Sequence, residues 1–131
     1  MCQACDLHVE GLWPHLAIGQ RFRTPDRARG ADFEIRNLAP TELEIQPQGL
    51  TIPASAFAAA LHYLREHNHR VTNACAIQSS NDPDTSGPLC DITRAQMSGG
   101  SRCVNYVAAI LEHFGIVGVD GRRPNSVWVL P

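Results

Sequence analysis

Residues 101–130, SRCVNYVAAILEHFGIVGVDGRRPNSVWVL, change their hydrophobic period partway along. Val104, Val107, Ala108 and Leu111 recur at three and four residues, so they share one stripe of a helix. Arg102, Asn105, Tyr106, Ala109, Glu112 and His113 fall largely off it. Ser98 or Ser101 can cap the first amides, and Gly115 can end the helix in the left-handed conformation after Phe114. Beyond that stop, Ile116, Val117 and Val119 form one β-rich run and Val127, Trp128, Val129 and Leu130 another. The turn formers at 120–125 lie between them, which predicts a hairpin with Arg122 and Arg123 at its tip.

Upstream, residues 88–97 (PLCDITRAQM) predict a shorter helix with Leu89, Ile92 and either Gln96 or Met97 inward, followed by a Ser98-Gly99-Gly100 turn. Another helix opens near Pro53, with Ser55 as its cap and Phe57, Ala60, Leu61 and Leu64 as its stripe, and ends near Asn68. Residues 74–77 read as a small strand and residues 79–87 as a polar loop. Residues 33–52 alternate with period two through Phe33, Ile35, Leu43, Ile45, Leu50 and Ile52, which predicts a β-hairpin turning at 39–41 and then a short extended piece. Ahead of it, Leu7, Val9, Leu12, Trp13, Leu16 and Ile18 offer a docking segment or a short helix. Arg21, Arg23, Arg27 and Arg29 around Pro25 and Gly30 read as a loop or linker, with a basic arm for a DNA minor groove as the sharper alternative.

Helix, small strand, helix, glycine turn, helix, hairpin is an order that resembles the winged helix-turn-helix superfamily, from about residue 54 to the end of the chain. The expected fold is therefore α+β: a winged helix-turn-helix domain preceded by a β-hairpin segment. Residues 33–131 would form the domain, with 54–131 as its core and residues 1–32 as an extension that need not be ordered. The resemblance implies duplex DNA as the partner. Arg102, Asn105 and Tyr106 would then reach base edges and phosphates, with Arg102 suited to guanine and Asn105 to adenine. Ser98 and Ser101 would meet a phosphate at the helix start, and Arg122 and Arg123 on the wing would meet the backbone or minor groove. A transcriptional or mobile-element regulator is the role that follows.

A chain of 131 residues suits one domain, and 44% hydrophobic against 18% charged residues gives it a globular body. Net charge is −2, which excludes a binder held to nucleic acid by bulk electrostatics. With about three phosphate contacts per subunit a monomer would bind weakly, so a homodimer is expected. Near-neutral charge also motivates the alternative of a winged helix used for protein contacts, with residues 33–52 pairing to a partner strand. Five Cys, at 2, 5, 75, 90 and 103, fit reduced thiols in a cytoplasm better than a disulfide framework. No apolar run is long enough for a bilayer, so no membrane association is expected.

Candidate chemistry is sparse. Cys2, Cys5 and His8 have short-range spacing for zinc, but no second ligand pair follows, and a zinc-binding or thiol-dependent protein is the weaker alternative. Cys103 beside Arg102 is the one thiol placed for activation, with packing as its commoner role. Glu34, Glu42 and Glu44 share a strand face without a His or Lys partner, which suits solvation better than acid–base work. No phosphate loop, dinucleotide pattern, nucleophile elbow or metalloprotease helix is present, so neither an enzyme nor a cofactor is expected.

Overall fold

The period-two half of the chain folds as an antiparallel meander. The structure is a computed structural model, and it describes residues 3–80, 82, 84–122 and 124–131. Strands β1 (Arg21–Arg23), β2 (Asp32–Leu38), β3 (Glu42–Gln46) and β4 (Leu50–Pro53) pair in chain order. One face of the sheet is apolar: Phe22, Phe33, Ile35, Leu43, Ile45 and Ile52 are all buried. The hairpin expected around residues 39–41 is present, since Leu38 pairs with Leu43. The arginine-bearing stretch is not wholly a linker, because Phe22 pairs with Phe33 and stacks on it at a centroid distance of 5.5 Å. A division after residue 32 would cut that ladder.

Helix α1 (Gln3–Leu12) buries Cys5, Val9 and Leu12 and packs on α2 (Ala54–Glu66). Ala56, Ala58, Ala59 and Ala60 are buried along with Phe57, Leu61 and Leu64. Small side chains let neighbours approach α2 from several sides, so its coverage extends beyond the single stripe that period 3.6 predicts. After α2 come β5 (Cys75–Ala76), α3 (Pro88–Arg94), α4 (Val104–His113), β6 (Val117–Asp120) and β7 (Ser126–Val129). The second sheet has the order β5-β7-β6, so the small strand lies beside the last one. The fold is α+β, with one buried cluster that takes residues from α1 through to β7. No helix of the described residues is long and apolar enough to cross a membrane.

The caps differ from expectation. Pro53 stands before α2 and Cys103 before α4, with no side-chain cap bond at either, so Ser55, Ser98 and Ser101 do not serve. The cause at α4 is packing. Gly99 and Gly100 both take positive φ and carry the turn, while Cys103, 1% exposed, anchors the chain before the first helical residue. Gly115, at φ +72°, ends the helix as expected.

Candidate nucleic-acid interface

Helix α4 is covered along most of its length. It contacts α2, α3, β1 and β6, and six of its ten residues are buried. The face expected to be free meets the first sheet: Tyr106 sets its ring edge-on to Phe33 at 5.1 Å, and His113 does the same to Phe22 at 5.2 Å. Tyr106 is therefore a packing residue, half-buried, and not a base-reading one. Glu112 and His113 are the exposed residues of this helix, and they lie at its far end. What meets solvent at the near end is Asn105, with Arg102 just ahead of the first turn.

Arg102 and Asn105 open into a cleft of about 590 Å³, shared with Thr24, Asp26, Arg29 and Gln78. Arg29 comes from the loop at 24–31, and that loop is tightly built. Asp26 Oδ1 accepts the amides of Ala28 and Arg29 at 2.8 and 2.9 Å, and Thr24 Oγ1 accepts that of Ala31 at 2.7 Å. The loop is also fastened to the β6–β7 turn, since the Arg27 amide donates to the Gly121 carbonyl at 2.9 Å. Asn125 Nδ2 donates to Asp26 Oδ2 at 3.3 Å. A Cβ at Gly121 would strike the Pro25 carbonyl, so glycine is what allows this approach. Loop and hairpin turn thus form one lip of the cleft.

On the opposite wall Gln78 has φ +46°, a left-handed conformation that a side chain rarely takes, and its carbonyl accepts the Gly87 amide at 3.0 Å. Outside the lining, Arg94 ties the turn before α4 to the segment after Gln78 by donating to the carbonyls of Gly100 at 3.1 Å and Ser80 at 2.8 Å. Among the described residues neither Arg29 nor Arg102 belongs to an ion pair. The Asp26 carboxylate, by contrast, is engaged by the three donors just named. At the wall, Ser79 Oγ and Asn125 Oδ1 are buried without a protein hydrogen-bond partner among the described residues, a rare condition for buried polar atoms.

The other predicted residues do not join this cleft. Ser98 and Ser101 lie exposed on the preceding turn, outside the lining. Arg122 folds back on Asp120, donating from Nε at 3.1 Å and from Nη2 at 3.0 Å, while its amide donates at 2.9 Å. These bonds hold the Asp120 carboxyl down at about 2, so the pair is internally neutralised over the whole working pH range. Arg123 and Cys2 lie outside the described residues. Gln78 was missed, and Arg29, read as part of a linker or a basic arm, was not connected with Arg102, because nothing in the sequence links positions 29, 78 and 102.

Thiol activation gains no support at Cys75 or Cys103, nor does a metal at Cys5 and His8. Burial pushes the Cys103 thiol up to about 12 and the Cys75 thiol to about 11, which keeps both protonated. Arg65 donates to Cys5 Sγ at 3.3 Å and lies 2.7 Å from His8 Nδ1. A guanidinium therefore sits between the two described members of the proposed zinc set, where a metal cation would have to displace it.

A second hollow, about 550 Å³, lies between α1 and the start of α2. Val9, Trp13, Pro40, Pro53 and Ala58 give it an apolar floor, and Asp6, Glu10 and Glu42 stand around it with no cationic side chain among the lining residues. Comparison with family models, with curated proteins and with solved structures finds no match for this chain, so its function has to be argued from these surfaces.

Proposed function

We propose that this is a DNA-binding protein of winged helix-turn-helix architecture that takes hold of nucleic acid through the cleft at the head of α4. The element order from α2 to β7 supports the architecture, as does the pairing of β5 beside β7. One observation carries the binding reading: Arg29 and Arg102, more than seventy positions apart and in no ion pair among the described residues, converge on a cleft that also presents Asn105 beside the already bonded Asp26. A convergent pair of free guanidiniums suits phosphate, and a carboxamide beside them suits a base edge. Contact is by the end of α4 and the adjoining lip, because the side of the helix is occupied by β1 and β2. A regulator of transcription or of a mobile element remains the role most in keeping with such a domain, acting as a homodimer to double the contacts.

Fluorescence anisotropy of a short labelled duplex, titrated over a range of salt, tests this. Two to three phosphate contacts give a log–log slope of about −2 to −3 per subunit, and Arg29→Ala or Arg102→Ala should each reduce it by about 1. Absence of binding at low salt, or unchanged slopes in both variants, sinks the proposal.

The acidic hollow favours a second reading, a protein-interaction module. Its three carboxylates over an apolar floor fit a basic peptide segment carrying an aliphatic or proline side chain. A peptide of that composition should quench or shift Trp13 fluorescence, and Glu10→Lys with Glu42→Lys should abolish the response. A response indifferent to these charges would remove this reading.

A further inference from the structure

Resting on the nucleic-acid reading, we propose that the cleft at the head of α4 receives a single unstacked nucleotide, either turned out of a duplex or standing at a strand end. Shape is the first argument. A helix that reads the major groove presents a convex, exposed side to it, whereas α4 has six buried residues and a flank closed by Phe22 and Phe33. What Arg102 and Asn105 face is concave, and a concave surface accepts a group that protrudes from the nucleic acid. Its volume, about 590 Å³, falls within the ~300–1,000 Å³ of sites that enclose a small molecule.

Chemistry is the second argument. Arg102 stands just ahead of α4, where the amides of Val104 and Asn105 precede the first bonds to the Cys103 carbonyl, and guanidinium and these two amides together hold the phosphate. No aromatic ring is among the lining residues, so the base stacks on the planar face of the Arg29 guanidinium, a recognised platform for unstacked bases, while the N–H edge of the same group keeps its phosphate contact. The carboxamides of Asn105 and Gln78 each offer a donor and an acceptor for its edge. Asp26 does not repel the phosphate as a bare carboxylate would, because two amides and the Asn125 side chain already bond to it. Gln78 is kept in its left-handed conformation beside Gly87, where a Cβ would come within 2.7 Å of the Gln78 side chain. Such conformations gather at ligand clamps.

The test uses the full chain with oligonucleotides carrying 2-aminopurine, whose fluorescence reports loss of stacking. The base is placed in turn within a fully paired duplex, at a mismatch in the same duplex, and at an unpaired overhang, and anisotropy measures binding to each. Affinity should be about tenfold higher for the mismatch or the overhang than for the paired duplex, since unstacking there is already partly done. The 2-aminopurine signal should change on binding. A response at the mismatch identifies a nucleotide turned out of the duplex, and a response confined to the overhang identifies a strand end. In Asn105→Ala, checked for native melting, the preference should fall toward onefold. Equal affinity for all three with no change in 2-aminopurine signal overturns this inference while leaving DNA binding standing. No binding to any of them overturns both.

Discussion

Cys5, His8 and Arg65 show how local spacing and spatial partnership diverge. The spacing of Cys5 and His8 suggests ligands, yet each turns to a guanidinium carried on the next helix. Burial, and then the Arg65 charge, hold the His8 pKa below its ordinary value of 6.5. The unfolded chain therefore takes up the proton first as pH falls. His8 contributes stability that is full above about 6.5 and is lost as pH drops through its lower folded value. Urea midpoints should decline on acidification from pH 7, and the decline should be shallower in His8→Gln. An equal decline in both proteins would place the acid sensitivity elsewhere. Asp120 has the same sign over a different window: its stabilising pair with Arg122 is complete above the ordinary carboxylate value of 3.8 and is lost as pH falls through about 2. Asp120 is partly exposed and Arg122 largely so, and water and salt screen what the pair contributes.

At the scale of elements, the joint between the loop at 24–31 and the β6–β7 turn determines whether the cleft has a lip. Gly121 is buried against the Pro25 carbonyl and the Arg27 side chain, and no side chain fits there without moving that loop. Gly121→Ala should destabilise the fold by about 1–3 kcal/mol, the usual range for overpacking, and should weaken DNA binding beyond what stability accounts for. Urea denaturation beside anisotropy separates the two effects, and an unaltered affinity would show that the lip is not part of the site. The sequence made the elements legible but not this joint. Alternation through Phe33, Ile35, Leu43 and Ile45 specified β2 and β3, because period two leaves little else those residues can do. The stripe of Val104, Val107, Ala108 and Leu111 likewise specified α4, and Gly115 its end. What period cannot reveal is whether a mixed face is wet. Tyr106 looks like a surface residue on a helical wheel, and only the placement of Phe33 across from it, some seventy positions earlier, makes it a packing residue, while His113 stays exposed with its ring against Phe22. Arg29 was legible as a cation of a loop or basic arm, but its place beside Arg102 was not, since a loop composition says nothing about which cleft the loop borders.

For the whole molecule, the question is whether the first sheet is an addition to a finished domain or part of its interior. Trp13 meets Phe57 edge-on at 5.5 Å and donates from Nε1 to the Ala39 carbonyl at 2.8 Å, so one ring links the turn after α1 to α2 and to the β2–β3 turn. Residues on both sides of position 54 belong to a single buried cluster. A chain reduced to 54–131 would uncover Phe57 beside Trp13's former place and much of α4 where β1 and β2 had been. Each large apolar side chain returned to water costs about 1.5–3 kcal/mol, and several such losses match the ~5–15 kcal/mol of a typical native state. The fragment should therefore show collapsed amide dispersion in NMR spectra, no cooperative melt and enhanced binding of an apolar dye, whereas the full chain melts as one unit. A well-dispersed, cooperatively melting fragment would mean that α4 is stable with its side exposed. Groove insertion by that side would then return as a competitor to contact by its end, since the packing of Phe33 on Tyr106 and of Phe22 against His113 is what now forbids it.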